Sequence, residues 1–424
     1  MRRAIGGIFV FTILFAFMGT SLVRASPDVT AFVDGGSVAI DISETTIATL
    51  GTTFDSGNNF VMAVVQFSST VATNIAVGNL RLTRDGSTLM SNAYTVNLGS
   101  SSPNNQKWFA LMAYDSSAPQ NPTYDVRATA AATGINGEAK ILAISGLTGA
   151  SAQGSSTPIG TSETTLATLS TSLPTGDNAV FAIVESENTD TSKRYLSAIS
   201  LKRGSNLATA QYSAYHAASG SAAGAWQVQL VPYLDNAPDG AQYTVTATAS
   251  SASVVNGRAT IVAFSMGSLS SAYSDGGSQS IGTSETTVNS LATTFPSGSE
   301  VVVIASEQFD DTFTATTIGA GNDKLQQNNL ATGQTTNQYI IRMPGSTNND
   351  DGKGFGLLNK YTDVPASPEY EVKATAAVAV LNGESKILAL AKPPRVPEFP
   401  LGPTLALILC FPILLAVRKW QRMS

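Results

Sequence analysis

The strongest constraint on this chain is that it nearly repeats itself. "ISETTIATL" from Ile42 returns as "TSETTLATL" from Thr161 and as "TSETTVNSL" from Thr283. Other landmarks keep the same order. Glu44, Glu163 and Glu285 lie 119 and 122 residues apart, and Gly57, Gly176 and Gly298 share that spacing. Tyr124, Tyr243 and Tyr370 open "YDVRATAAA", "YTVTATASS" and "YEVKATAAV"; Asn136, Asn256 and Asn382 open "NGEAKILAI", "NGRATIVAF" and "NGESKILAL". A period of about 120 residues is too long for a solenoid unit and suits tandem domains, each able to bury its own core. The landmarks define three repeats at residues 31–148, 154–269 and 276–392.

Within each repeat the periodicity is that of strands. In "ATLGTTF" one face carries Ala48, Leu50, Thr52 and Phe54, matched by Ala167, Leu169, Thr171 and Leu173, and the density of Thr disfavours a helix. A turn follows at "FDSG", "LPTG" and "FPSG". "NFVMAVVQF", "NAVFAIVES" and "SEVVVIASE" then read as a strand covered on both faces. Hairpins turn at Asp85-Gly86 and at Gly204, and the next strand carries Trp108, Trp226 and, in the third repeat, Phe355. About eight strands per repeat and no convincing helix predict an all-β chain of three tandem antiparallel β-sandwich domains. "TGASAQGSSTP" and "SSAYSDGGSQ" read as flexible linkers and "KPPRVPEFP" as a stiffer stalk, so the expectation is of beads on a string.

Two sandwich topologies fit this pattern. The order of Pro/Gly turn, buried strand, "RDG" hairpin and final "KILAI" strand resembles the jelly rolls of complement- or tumour-necrosis-factor-like domains and phage receptor-binding tips. "AP" followed by Tyr124 or Tyr243 and an alternating strand resembles instead the tyrosine corner of immunoglobulin-like modules. The jelly roll is the favoured reading, since a repeat of about 115 residues exceeds a minimal seven-stranded module.

The ends of the chain address its location. Arg2 and Arg3 precede the apolar stretch "AIGGIFVFTILFAFMG", and Val23 and Ala25 stand at the positions a signal peptidase reads, which predicts a signal peptide over residues 1–25 cut after Ala25. Residues 401–417 form an apolar run that stops at Arg418, Lys419 and Arg422. Its length is at the short limit of a membrane helix, and the following cations place the C-terminus inside the cell. Residues 401–424 are therefore expected to be a transmembrane segment with a basic cytoplasmic tail, preceded by a Pro-rich stalk at 393–400. Pro397, Glu398 and Phe399, followed by that span and its basic stop, resemble the PEF-type C-terminal sorting signal of archaeal surface proteins, a relative of the bacterial PEP-type tail. The resemblance implies an exosortase-like transpeptidase as a processing partner. Without such processing the same residues form a retained membrane anchor.

Composition narrows the chemistry. The 30 acidic residues and 18 of the 24 basic ones lie between the two ends, a net charge of −12 that disfavours a nucleic-acid partner. The one cysteine, Cys410, falls in the C-terminal apolar run, so the exported domains stand without disulfides or cysteine-bound zinc. The one histidine, His216, has no counterpart in the other repeats, which argues against a Ser-His-Asp triad. Glu185 and Glu187 share a strand face as a glycosidase pair would, but the first repeat has "QFSST" there. No glycine-rich stretch opens a helix to cradle phosphate. A structural Ca²⁺ is the one cofactor considered, with Glu307, Asp310, Asp311, Asp350 and Asp351 as oxygen ligands, although none matches a dedicated calcium loop.

These observations predict a non-enzymatic, membrane-anchored cell-surface protein: a stalk, an adhesin or a cell-envelope component. The alternative from the binding class makes the sandwiches ligand-recognition modules for surface glycans or envelope proteins, with Tyr212 and Tyr215 contributing contacts. A secreted glycoside hydrolase is the remote alternative. Glu44, Glu163 and Glu285 are expected to mark the start of each domain, where Ser and Thr hydroxyls hold a turn against the backbone.

Overall fold

The structure is a computed structural model, and it describes residues 30–69, 76–91, 96–97, 106–170, 173–188, 194–207, 212–216, 226–249, 255–311, 318–327, 336–343, 353–376 and 381–394. Every regular element among them is a strand. The first repeat holds β1 (Ala31–Asp34), β2 (Val38–Ile40), β3 (Thr45–Gly51), β4 (Gly57–Ser69), β5 (Ala76–Arg84), β6 (Ser87–Ser91), β7 (Val96–Asn97), β8 (Gln106–Ala118), β9 (Thr123–Ala130) and β10 (Ile135–Ser145). The second holds β11 (Gly149–Gln153), β12 (Thr157–Ile159), β13 (Thr164–Ser170), β14 (Gly176–Asn188), β15 (Arg194–Arg203), β16 (Asn206–Leu207), β17 (Tyr212–His216), β18 (Trp226–Ala237), β19 (Gln242–Ala249) and β20 (Val255–Ser265). The third holds β21 (Ser270–Asp275), β22 (Gln279–Ile281), β23 (Thr286–Ala292), β24 (Ser299–Asp311), β25 (Ile318–Gln327), β26 (Thr336–Met343), β27 (Lys353–Val364), β28 (Glu369–Ala376) and β29 (Leu381–Lys392).

Each repeat folds into two antiparallel sheets. In the first, an inner sheet runs β1-β10-β4-β8 with β2 also on β10, and an outer sheet runs β3-β9-β5-β6 with β7 on β5. The pairs β1 with β10, β3 with β9, β4 with β8 and β5 with β6 are nested like the arms of one long hairpin rolled up, which is the jelly roll. The immunoglobulin-like alternative does not hold, because its sheets run in the orders ABED and CFG, which this nested pairing does not give. Tyr124, the residue that pointed to it, sends its hydroxyl to the Asp115 side chain rather than to a backbone corner.

The segments read as linkers are strands. β11 and β12 both pair with β20, and β21 and β22 both pair with β29, so the second and third repeats begin at Gly149 and Ser270, ahead of the expected 154 and 276. Small polar residues carry no strand pattern of their own, and they become strands because the last strand of the repeat offers them an unpaired edge. Buried lysines reach exposed aspartates to fasten the first strand of two repeats: Lys140 to Asp34 of β1 at 2.5 Å, and Lys386 to Asp275 of β21.

The doubly covered strand is present, and its second cover is the neighbouring repeats. Along β4 the side chains of Val61, Val65 and Phe67 alternate with those of Phe60, Met62 and Val64, and all are buried. Phe60 stacks on Phe181 with ring centroids 5.1 Å apart and tilts against Phe264 at 5.0 Å, joining the first repeat to the second. Tyr233 meets Tyr273 edge-on at 5.6 Å, joining the second to the third. Thr30 donates to Glu300 at 3.1 Å and accepts from Lys360 at its carbonyl at 2.8 Å, joining the first to the third. Each of β8, β18 and β27 touches the other two. The three sandwiches thus share apolar packing between their inner sheets, in place of separate beads, while the interior of the second sandwich forms a core of its own.

Candidate functional site

The triplicated phrase makes the same turn three times. Thr45, Thr164 and Thr286 each accept a backbone N–H from four residues earlier, at Asp41, Gly160 and Gly282, over 3.1–3.2 Å. Each donates to the carbonyl two residues earlier, at Ser43, Ser162 and Ser284. The glutamate of the phrase is an ion-pair clasp onto the outer sheet. Glu44 holds Arg81 and, at 3.1 Å, Arg127; Glu163 holds Lys202; Glu285 holds Lys324 and, at 3.8 Å, Lys373. Acids already paired with one or two cations and open to solvent fit a structural role, as the turn reading expected.

The other residues singled out above are not brought together. His216 lies on β17 opposite Arg194. Tyr212 and Tyr215 lie on the same short strand. Glu185 is buried and ion-paired to Arg258, while burial raises the carboxyl of half-buried Glu187 above its ordinary value, with the Arg258 charge opposing. Glu307 is on β24, and Asp310 and Asp311 follow it opposite Asn382 and Leu381. Asp350, Asp351, Ala25, Pro397, Glu398, Phe399 and the 401–424 segment lie outside the described residues. Among the described residues no helix is long and apolar enough to cross a membrane, and no group of three or more His, Cys, Asp or Glu is placed to hold a metal ion.

Superposing the strand registers of the three repeats exposes one place where chemistry differs. In the first repeat the core holds a polar network at one end. Asn59 donates to the Tyr124 hydroxyl at 2.7 Å, Tyr124 donates to Asp115 at 3.2 Å, and Arg84 closes the set on Asp115 at 2.5 Å. The second repeat keeps Tyr243 on Asp235 at 2.9 Å, with Arg203 at 3.4 Å from that carboxylate. Burial pushes both tyrosines well above the ordinary phenol value. In the third repeat the ladder puts Val301 and Tyr361 at the places of Asn59 and Asp115. Tyr361 instead packs on Tyr370, with centroids 5.3 Å apart, and the Tyr370 hydroxyl has no partner among the described residues.

The third repeat carries its buried polar groups elsewhere in the sandwich. Glu307 pairs across the ladder with Ser385, where the first two repeats pair Val65 with Ala139 and Val184 with Ala259. Asp323 stands two residues before Leu325, which faces Val372; at the same step the other repeats have Leu80, before Leu82, and Ile199, before Leu201. Glu307, Asp323 and Ser385 each have 0% exposure. None of the five side-chain oxygens has a hydrogen-bond partner among the described residues. Desolvation raises both carboxyls well above the ordinary carboxylate range, and the Asp323 charge raises Glu307 further. Three apolar positions of a jelly-roll core have become two acids and a hydroxyl. Glu307 was a sequence candidate, but Asp323 and Ser385 were not. Letter alignment of the repeats carries the signal for both: "GNDKL" sets Asp323 against Leu80 of "GNLRL", and "NGESKIL" sets Ser385 against Ala139 of "NGEAKIL".

No protein-family model matches the chain, and no relative among characterised proteins matches it. Among solved structures, the chain is similar to one from the Sulfolobus turreted icosahedral virus (10% identity, TM-score 0.20, covering 86% of this chain and 92% of that one). A structure described under the triple jelly roll fold and turret assembly in an archaeal virus matches at the same identity and TM-score, over 86% of this chain and 91% of that one. PNGase F, a glycosylasparaginase from Flavobacterium meningosepticum, matches at 8% identity and TM-score 0.33, over 58% of this chain and 96% of that one. Likenesses this distant carry no functional argument, and the jelly roll is read from the strand order itself.

Proposed function

We propose that this chain is a non-enzymatic, membrane-anchored cell-surface protein, in which three jelly rolls form one single-chain head. The observation that supports it best is the shared packing: each repeat buries an inner-sheet face on its sisters, at Phe60, Phe181, Phe264, Tyr233 and Tyr273. Triplication has in this reading built one body out of three sandwiches. In this reading residues 1–25 direct export and are removed after Ala25, and Pro397, Glu398 and Phe399 are read by an exosortase-like enzyme. The 401–424 segment is the membrane anchor until that processing occurs. The outer sheets face the surroundings, where surface glycans or envelope proteins are the partners of fitting chemistry, and a net charge of −12 keeps nucleic acid away.

The test is mass spectrometry of the protein recovered from membranes of its own cells, together with protease shaving of intact cells. A new C-terminus between Pro397 and Phe399, with the repeats cut from outside, supports the reading. Recovery of an intact Ser424 end reduces the tail to a plain anchor, and repeats that only lysis exposes to protease overturn display at the surface.

A further inference from the structure

We propose that the core of the third jelly roll is an internal binding site for a hard divalent cation of the calcium class, held by the Glu307 and Asp323 carboxylates and the Ser385 hydroxyl. The argument begins with cost. An ionised carboxylate without a partner in a protein interior costs several kcal/mol, and a chain does not keep two such groups side by side unless something compensates them. In the first two repeats the same ladder positions are filled by Val65 with Ala139 and by Val184 with Ala259, and the sandwich closes well on them. The acids are therefore not required by the fold.

No neighbouring side chain among the described residues supplies the compensation. Lys386 is the residue after Ser385, but strand alternation turns it to the opposite face, where it holds Asp275. Lys324 follows Asp323 and likewise faces away, held by Glu285. Lys373, on the strand beside Asp323, is bound to Glu371 at 3.2 Å. The Tyr361 hydroxyl donates to the Leu325 carbonyl at 3.3 Å and so is engaged. All five candidate oxygens are acceptors, two of the three groups are acids, and no donor reaches them among the described residues. An all-oxygen set carrying two negative charges matches a hard divalent ion, which takes carboxylate and hydroxyl oxygens and completes its shell with carbonyls or water. Such an ion would tie β24, β25 and β29 together across both sheets, in place of the apolar contacts those positions make in the other repeats.

The experiment uses the purified full-length protein, with calcium chloride as the probe and its melting temperature and bound-metal content as readouts. Calcium retained through dialysis, and a melting temperature that falls on chelation and recovers with calcium, are expected. Restoring the residues of the first repeat, Glu307→Val with Asp323→Leu, is expected to abolish both the retained metal and the effect of chelator. The milder Ser385→Ala keeps the acids and the fold, and weakens calcium affinity. A melting temperature indifferent to calcium, magnesium and chelator overturns the proposal, as does calcium that the double variant still retains. Stability that rises on acidification, with no metal effect, overturns it in favour of protons as the compensating charge.

Discussion

Gly356 on β27 lies flat against the indole of Trp108 on β8, so that a methyl group there would overlap the ring and reach within 3.2 Å of Leu230 on β18. Gly356, Leu230 and Ala110 occupy the same ladder step of their respective repeats, opposite Ser306, Ile183 and Val64. One large side chain and a glycine thus fill the junction of the three jelly rolls.

Gly356→Ala is expected to destabilise the protein by about 1–3 kcal/mol, because the methyl overpacks a closed junction. Trp108→Ala in the same chain should recover part of that loss, giving a coupling that calorimetric double-mutant cycles detect. Simple additivity of the two losses would mean that the first and third repeats do not pack there.

The hydroxyls of two equivalent tyrosines should respond oppositely to removal. Tyr124→Phe loses the bonds to Asn59 and Asp115 and should cost about 1 kcal/mol, while Tyr370→Phe deletes a buried hydroxyl with no partner among the described residues and should be neutral or stabilising by about 1 kcal/mol. Chemical denaturation of the two variants checks the sign.

Asp115→Ala should cost about 3 kcal/mol, because Arg84 and the Tyr124 hydroxyl are left without their common partner inside the sandwich. The matching change in the second repeat, Asp235→Ala, should cost less, since its Arg203 contact is longer, at 3.4 Å; each arginine keeps a carbonyl acceptor, Ser117 for Arg84 and Asn236 for Arg203. Urea midpoints compare them.

Alkaline pH should unfold the protein through its buried tyrosines. Burial raises Tyr124, Tyr243, Tyr361 and Tyr370 above the ordinary value of 10.0. Below pH 10 they are protonated folded and unfolded, so their contribution is intact; above it only the unfolded chain ionises, and stability falls as pH rises toward the raised values. Ultraviolet titration should show these phenols ionising only as the fold is lost.

The repeated phrase separates into two energies. Thr164→Val removes both hydrogen bonds of its turn and should cost about 1 kcal/mol, whereas Glu163→Gln removes one solvent-exposed ion pair and should cost about 0.5 kcal/mol or less. A larger loss for the glutamate would contradict its role as a surface clasp.

What the chain declares without its structure is local. Strand periods, the turn at each phrase, three copies of one unit and a strand apolar on both faces all follow from residue order, because a pleat turns alternate side chains to opposite faces. Tertiary structure decided everything that depends on pairing at a distance. Gly149–Gln153 and Ser270–Asp275 look like linkers, and become strands only because β20 and β29 present an open edge to them. Glu307 reads as an acid near a strand end, yet its register with Ser385 and its nearness to Asp323 put it in the core. Beads became one body for the same reason: apolar residues on an outer face do not say what will cover them, and Phe60 found its cover in Phe181 and Phe264 of the next repeat. Hydrophobic burial is indifferent to sequence distance, so the partner of an apolar face is settled only when the chain has closed on itself.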